Sequence, residues 1–394
     1  MNSRSILERM RQLIPDNPRI VRNLTEYRIR LLDRTLMPEA EARAAEKTPE
    51  AKRQAVLRWE RRHPGEAGKL EKQISRLYTG NPETRNRIQA DPQYLADMKF
   101  HYCAYGFLPF EYICCELEKK TAEERRTYVS DLERKKLVYR MNDIRSISLL
   151  ADKARAYALL KDYYQRECME IRGKRDYDRF LDFLGRHPVF VRKPVNGQMG
   201  QGVIREDSGA LQETAGELFD RIRRQGRQMA EEMICQSEAL AALNDAGVNT
   251  VRFTTILTKQ GPEILFTGVT VGRAGSFVNN GGAGGILVGI DPDTGMLVTE
   301  GVDENACRYD THPDSGIPFR GYRLPEWQEL IRICKDAAVK AGGQGCRYVG
   351  WDMAHSKDHG WVIVEGNGGG QMIGAQIMSR KGIRPRIDAL MQRI

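Results

Sequence analysis

Apolar positions are sparse and irregularly spaced through the first third of the chain, as in EARAAEKTPEAKRQAVLRWERRHPGEAGKLEKQISRLY (41–78). Without alternation such a stretch presents no strand face, and its Ala, Glu, Lys, Arg and Leu content favours helices. From about residue 148 the pattern changes. SLLADKARAYALLKDYY (148–164) predicts a helix, with Asp152 near its start favouring the positive end of the macrodipole. VFVRKPVNGQMGQGVI (189–204) predicts a strand, a glycine turn and a second strand. A helix near 214–225 and a short strand in RQMAEEMI (227–234) follow, then a hairpin over NTVRFTTILTKQGPEILFTGVTV (249–271) turning at Gln260-Gly261. SFVNNGGAGGILVGIDPDTG (276–295) supplies glycines, a strand and a tight turn at DPDTG. A helix near 325–341 precedes two last strands, RYVGWDMAHS and GWVIVEGN, joined by KDHG.

Composition sharpens this division. Residues 1–150 hold 30 Lys/Arg against 22 Asp/Glu, so nearly all of the net charge of +9 lies there, whereas 33 of the 37 glycines lie after residue 150. A basic, helical first region is followed by mixed α and β structure built around loops, which makes the fold class α+β. At 394 residues with 41% hydrophobic content the chain has material for a substantial core. No run of eighteen apolar residues occurs, and the opening MNSRSILERMRQLIP lacks the apolar centre of a signal peptide, so a cytoplasmic location is expected. The eight cysteines form no CxxC pair and no zinc spacing; reduced, buried thiols are expected, with the vicinal Cys114-Cys115 packing in FEYICCEL. The basic excess suits an anionic glycan, a glycolipid at a membrane surface or a partner protein. Nucleic acid ranks last, because bases and acids interleave in runs such as TAEERRTYVSDLERKKLVYR, the pattern of solvated helix faces.

The strongest chemical signal lies in the last two strands, which carry Asp352, Glu365 and Asn367. Residues two apart on a strand share a face, so Glu365 and Asn367 offer oxygens side by side, and Asp352 can join them from the neighbouring strand. All-oxygen donors suit Mg²⁺; an acidic residue merely closing a strand is the bland alternative. The second signal is Lys193, at the end of an apolar strand with Gly197, Gly200 and Gly202 behind it. Backbone amides of such a turn can approach phosphates, and the lysine adds a point charge; a plain hairpin with a solvated lysine is the alternative. Neither a P-loop nor a dinucleotide-binding glycine fingerprint is present. His355 and His359 read as turn histidines, with an acid, base or acceptor contact as the other reading.

This order of lysine, glycine turn, acidic strand and Asp…Glu-x-Asn set resembles the ATP-grasp superfamily. NTVRFTTIL, VNNGGAGGILVGIDPDTG, GWDMAHS and VIVEGN, with ADK and GFLPFEY earlier, most resemble its sugar-transfer-associated family. The thirteen residues between Asp352 and Glu365 match the ligand spacing of D-alanine:D-alanine ligases, a superfamily branch. The resemblance implies an ATP-grasp fold of two α+β lobes, 146–235 and 236–394, preceded by the basic, mainly helical region 1–145. It implies that Lys153 and Lys193 hold ATP phosphates under the Gly197, Gly200 and Gly202 loop. The stretch AEEMICQSE would be the adenine hinge, with Glu231 or Glu232 facing the nucleotide, Met233 and Ile234 reading adenine through their backbone, and Glu238 accepting from ribose. Asp352, Glu365 and Asn367 would bind two Mg²⁺ ions. Arg252 and Arg273 would stabilise the transferring phosphoryl group.

The implied reaction is ADP-forming ligation of a carboxylate to an amine through an acylphosphate, with small-molecule or glycan-linked substrates, plausibly in polysaccharide or glycoconjugate biosynthesis. A kinase acting on a hydroxyl and a non-catalytic scaffold with a basic surface are the alternatives. Two departures stand out: the ligase comparison puts an arginine two residues before Asp352, where this chain has Gly350, and a proline soon after Asn367, where it has the run 368–370. Gly281, Gly282, Gly284 and Gly285 would let an extended acceptor lie near the backbone, or form a surface loop.

Overall fold

The computed structural model describes residues 17–197, 201–210, 213–273 and 284–394. Gly200, Gly281 and Gly282 therefore lie outside the described residues, as does the opening stretch.

Residues 18–151 form helices joined by short turns, many of them started by one device. Proline is the first helical residue of Pro18–Asp33, Pro49–Arg62, Pro64–Gly80, Pro82–Ala90, Pro92–Tyr105 and Pro109–Cys114. A missing N–H costs nothing there and φ is pre-set. Asn17, Thr48, Asn81 and Asp91 precede four of these prolines and accept bonds from first-turn amides. The apolar faces of the helices from Pro49 onward meet in a core around Trp59, Leu70, Met98, Phe100 and Tyr112, which includes Cys115. Cys114 is buried in a smaller cluster with Val302, Ala306 and Ile377, so both vicinal thiols pack.

Two antiparallel sheets follow. The first, ordered β1-β4-β2-β3, contains β1 (Cys168–Ile171), β2 (Val189–Pro194), β3 (Ile204–Asp207) and β4 (Gln228–Glu232). Helices Tyr177–Arg186 and Ala215–Arg223 cover it through Phe180, Phe183, Leu218, Phe219 and Ile222. The second, ordered β11-β10-β5-β6-β7-β8-β9, contains β5 (Thr250–Thr258), β6 (Gly261–Val271), β7 (Ile286–Ile290), β8 (Leu297–Val302), β9 (Arg308–Tyr309), β10 (Tyr348–Ser356) and β11 (Gly360–Asn367). Helix Trp327–Gly342 lies across it. The expected hairpins at 258–261 and 356–360 are present, and Asp291 closes the DPDTG turn by accepting from the amides of Asp293 and Thr294.

The single helix expected over 148–164 is two. Asp152 is extended, its carboxylate accepts from the amides of Ala154 and Arg155, and it ends Ile144–Ala151 while capping Lys153–Tyr164. The helical region meets the second sheet through its last helices. Val129, Leu137, Val138 and Met141 share a core with Ile256, Phe266 and Tyr348 of the second sheet and with the last helices, Ile373–Ser379 and Arg384–Met391. Among the described residues no helix is long and apolar enough to cross a membrane.

Candidate active site

Strand register assembles the acidic group. Arg252 on β5 pairs with Asp352 on β10, which pairs with Glu365 on β11, so three side chains line one face in a row across the sheet. One step along, Gly350 pairs with Asn367. Arg252 grips Asp352 with a fork, Nε to Oδ1 at 2.7 Å and Nη2 to Oδ2 at 3.0 Å. Asn367 Nδ2 donates to Glu365 Oε1 at 2.9 Å and lies 3.4 Å from Asp352 Oδ2. Burial, reinforced by the facing Glu365 and opposed by Arg252, pushes Asp352 up to about 7. Against its own burial, Lys153 and Lys193 hold Glu365 below the usual carboxylate value.

Gly350 leaves room for that fork. A Cβ there would stand 3.0 Å from Arg252 Nη1, and one on Gly370 would stand 3.3 Å from the Gly350 Cα. The arginine that the ligase comparison places at 350 is thus absent, and a guanidinium from the neighbouring strand occupies the space. Arg252 Nη1 has no acceptor among the described residues.

The basic group comes from a helix start and from the other sheet. Lys153 opens its helix, donates from Nζ to the Gly197 carbonyl at 2.5 Å and lies 4.0 Å from Glu365 Oε2. Burial, with Lys193 nearby, lowers its pKa, and Glu365 opposes that shift. Lys193, on β2, is buried and lies 2.8 Å from Glu231 Oε1. Gly202 has φ +75°, and a Cβ there would press on the Pro194 ring at 2.9 Å, so the turn after Lys193 requires glycine.

Glu231 is enclosed between Lys193 and the Arg166 guanidinium (2.9 Å), and both hold its carboxyl low despite burial. Glu232 instead accepts from the Glu167 amide at 2.9 Å. Among the described residues the amides of Met233 and Ile234, just past β4, find no acceptor, and Glu238 is exposed. Arg273 is not brought into the acidic group. It lies beyond the end of β6, five residues from Gly268, the cross-strand partner of Arg252, pairs with Asp314 at 3.3 Å and stands over Tyr309. At ~3.4 Å per residue that separation is roughly 17 Å. His355 packs edge-on to Trp361 and meets Glu326 at 3.2 Å; His359 is 3.9 Å from Glu232.

Arg166 escaped the sequence reading, as a lone arginine between a helix and a strand carries no motif. Fully buried, it also donates to the Ile363 carbonyl at 2.6 Å and so links the two sheets.

The donor set fits Mg²⁺. Among the described residues no cluster of three or more His, Cys, Asp or Glu side chains forms, so the acidic group offers two carboxylates and one amide. The carboxylates are hard oxygen donors with coordination positions left for phosphate and water, and Asn367 would add its Oδ1 in place of the Nδ2 it turns toward them. The facing carboxylates, Asp352 mostly covered and Glu365 partly exposed, repel, and a divalent cation would relieve this.

A family model described as sugar-transfer associated ATP-grasp matches residues 132–392. No curated protein matches. Solved structures with a similar arrangement include the ATP-grasp ligase PsnB complexed with minimal precursor, 17% identical over 64% of each chain with TM-score 0.40. They include the L-amino acid ligase from Bacillus licheniformis, 13% identical over 64% of this chain and 50% of that one, TM-score 0.38. D-alanyl-alanine synthetase A from Vibrio cholerae is 9% identical over 63% and 67%, TM-score 0.40. The chain spans 59–64% of the PsnB chains.

Proposed function

Because the chain belongs to the sugar-transfer associated ATP-grasp family, we propose that it is an ADP-forming carboxylate-amine ligase working through an acylphosphate, in the assembly of a polysaccharide or glycoconjugate. One observation carries this reading: Lys193 from the first sheet and Lys153 from the start of a helix face the Asp352, Glu365 and Asn367 group of the second sheet, with Lys153 4.0 Å from Glu365. A polyphosphate fits between such opposed groups.

Lys153 and Lys193 neutralise the phosphates of ATP, and the open amides of Met233 and Ile234 read the adenine edge. Asp352, Glu365 and Asn367 would hold Mg²⁺, as two ions on this reading, which supplies positive charge to the β- and γ-phosphate oxygens. A substrate carboxylate oxygen attacks the γ-phosphorus and ADP leaves. An amine then attacks the acyl carbon, phosphate leaves, and the nitrogen sheds a proton. Arg252 orients Asp352 with two nitrogens and offers Nη1 to the transferring phosphoryl group and the acylphosphate. Positioning and charge neutralisation lower such a barrier without a protein nucleophile.

The test is calorimetric titration of Mg-ATP into the wild type, Lys153→Ala and Glu365→Gln. Lys153 is the better lysine to remove, because Lys193 also balances Glu231. Each variant is expected to bind at least tenfold more weakly, about 1.4 kcal/mol. Hydroxylamine added during turnover with a panel of acids and amines should trap a hydroxamate. No Mg-ATP binding by the wild type sinks the reading, and turnover without trapping favours transfer to a hydroxyl.

A further inference from the structure

We propose that Arg134 and Asn142, in the helical region, are positioning residues that fix Asn367 and the glycine turn behind it. The proposal rests on the acidic group being the metal and phosphate site.

The run Gly368–Gly370 directly follows Asn367, and nothing in its own sequence restrains it, since glycine gives up more conformational freedom on ordering than any other residue. Its three carbonyls each accept from a buried side chain. Asn142 Nδ2 donates to Gly368 at 2.7 Å. Arg134 Nη1 donates to Gly369 at 2.7 Å and to Gly370 at 3.2 Å, and the Tyr348 hydroxyl donates to Gly370 at 3.1 Å. Arg134 is itself aimed by Asp131, whose Oδ1 accepts from Nε at 3.0 Å and from Nη2 at 2.7 Å. None of these four residues is more than 7% exposed.

Asn142 does a second thing. Its Nδ2 also donates to the Tyr348 carbonyl at 2.7 Å, and its Oδ1 accepts from the Tyr348 amide at 2.8 Å. Tyr348 begins β10, two residues before Gly350, and Gly350 pairs with Asn367 at the end of β11. One amide side chain thus ties the entry of one ligand-bearing strand to the exit of the other. The glycines permit the close approach this requires: a Cβ on Gly368 would meet Cys346 Sγ at 3.1 Å and the Ile147 Cα at 3.3 Å. No other use for three consecutive inward-turned carbonyls is visible, and the side chains that satisfy two of them lie before the two sheets in the chain. The helical region therefore sets the geometry of the site while placing no atom among its ligands.

A role limited to stability predicts that any loosening of this contact acts alike on every ligand; a positioning role predicts a split. The experiment titrates the full chain with ATP plus Mg²⁺ and with ATP plus EDTA, for the wild type, Asn142→Asp, Arg134→Lys and Leu137→Ala. Asn142→Asp turns a donor toward two carbonyls into an acceptor. Arg134→Lys keeps the charge beside Asp131 but loses the fork, and covers the case in which Asn142→Asp does not fold. Leu137→Ala loosens the same helix without touching a carbonyl. Expected are tenfold or greater loss of Mg-ATP affinity for Asn142→Asp, and about threefold for Arg134→Lys, with metal-free ATP affinity within twofold for both and Leu137→Ala unchanged in both titrations. The proposal is overturned if the folded variants bind Mg-ATP within twofold of wild type, if both nucleotide forms weaken equally, or if Leu137→Ala reproduces the loss. Absence of Mg-ATP binding by the wild type removes the site reading instead, and this proposal with it.

Discussion

Glu231 and Asp352 are both buried carboxylates on central strands, each gripped by an arginine, yet their electrostatics are opposite. Glu231 has two cations within 2.9 Å and no acid beside it, so it stays ionised. Asp352 shares its one guanidinium with a second carboxylate across the strand pair, and burial with that neighbour pushes it up to about 7. The difference teaches that the charges standing beside an acid, more than burial or an arginine partner, set its ionisation. Glu231 meets a cation on each side; Asp352 meets a cation on one side and a carboxylate on the other, while Lys153 and Lys193 stand beside Glu365.

The largest effect should come from breaking the satisfied side. Glu231→Ala strands Lys193 and Arg166 in the interior, and removing one partner of a buried ion pair costs about 3–5 kcal/mol, to be read by chemical denaturation. Asp352→Asn should do the reverse: a stability change under about 1 kcal/mol, because it relieves a repulsion while weakening a fork, but at least tenfold weaker Mg-ATP binding, about 1.4 kcal/mol or more. A large loss of stability there would erase the contrast between the two acids.

His101 extends the contrast to a buried group kept uncharged. Its Nδ1 donates to the Asp97 carbonyl at 2.8 Å, its Nε2 has no partner among the described residues, and burial pushes its pKa down to about 4. The folded value lies below the unfolded one of about 6.5, so this contribution is whole above pH 6.5 and is lost as pH falls toward 4. Glu111, raised to about 8 by burial and by Asp131, acts oppositely: its contribution declines as pH rises from about 4.5 to 8. The His101 term must therefore be read as wild type minus His101→Gln, a difference that should shrink by on the order of 1 kcal/mol between pH 7 and pH 5. The smallest effect is kinetic. Cys235, exposed just past the Met233 and Ile234 amides, should react first with an alkylating reagent, well ahead of Cys114 and Cys115, and on the proposed reading Mg-ATP should slow it.

Much of this was legible in the chain. Alternating β-branched residues and two polar turns located β5, β6, β10 and β11, and the spacing from Asp352 through Glu365 to Asn367 survives as real proximity because strand period and hairpin register convert it into adjacency. What could not be read depends on contacts between distant segments. Nothing in AEEMICQSE says that Glu231 turns toward Lys193 and Arg166, since neighbouring strands decide which acid meets a cation. Arg273 shares its residue type with Arg252, but only register reveals that Arg252 sits opposite Asp352. Asp152 was legible as a helix-start residue, yet its role in ending the preceding helix depends on its extended backbone. The Thr-Pro, Asn-Pro and Asp-Pro pairs at 48, 81 and 91 were available markers of helix starts in the first region.

Arg166 carries a consequence for energetics between the sheets. The same guanidinium holds Glu231, which faces Lys193, and the Ile363 carbonyl, two residues before Glu365. A displacement of Lys193 by a phosphate and a displacement of Glu365 by a cation thus press on one shared group from opposite sides. On the proposed reading, whatever factor occupancy of one side imposes on affinity at the other must be returned in full.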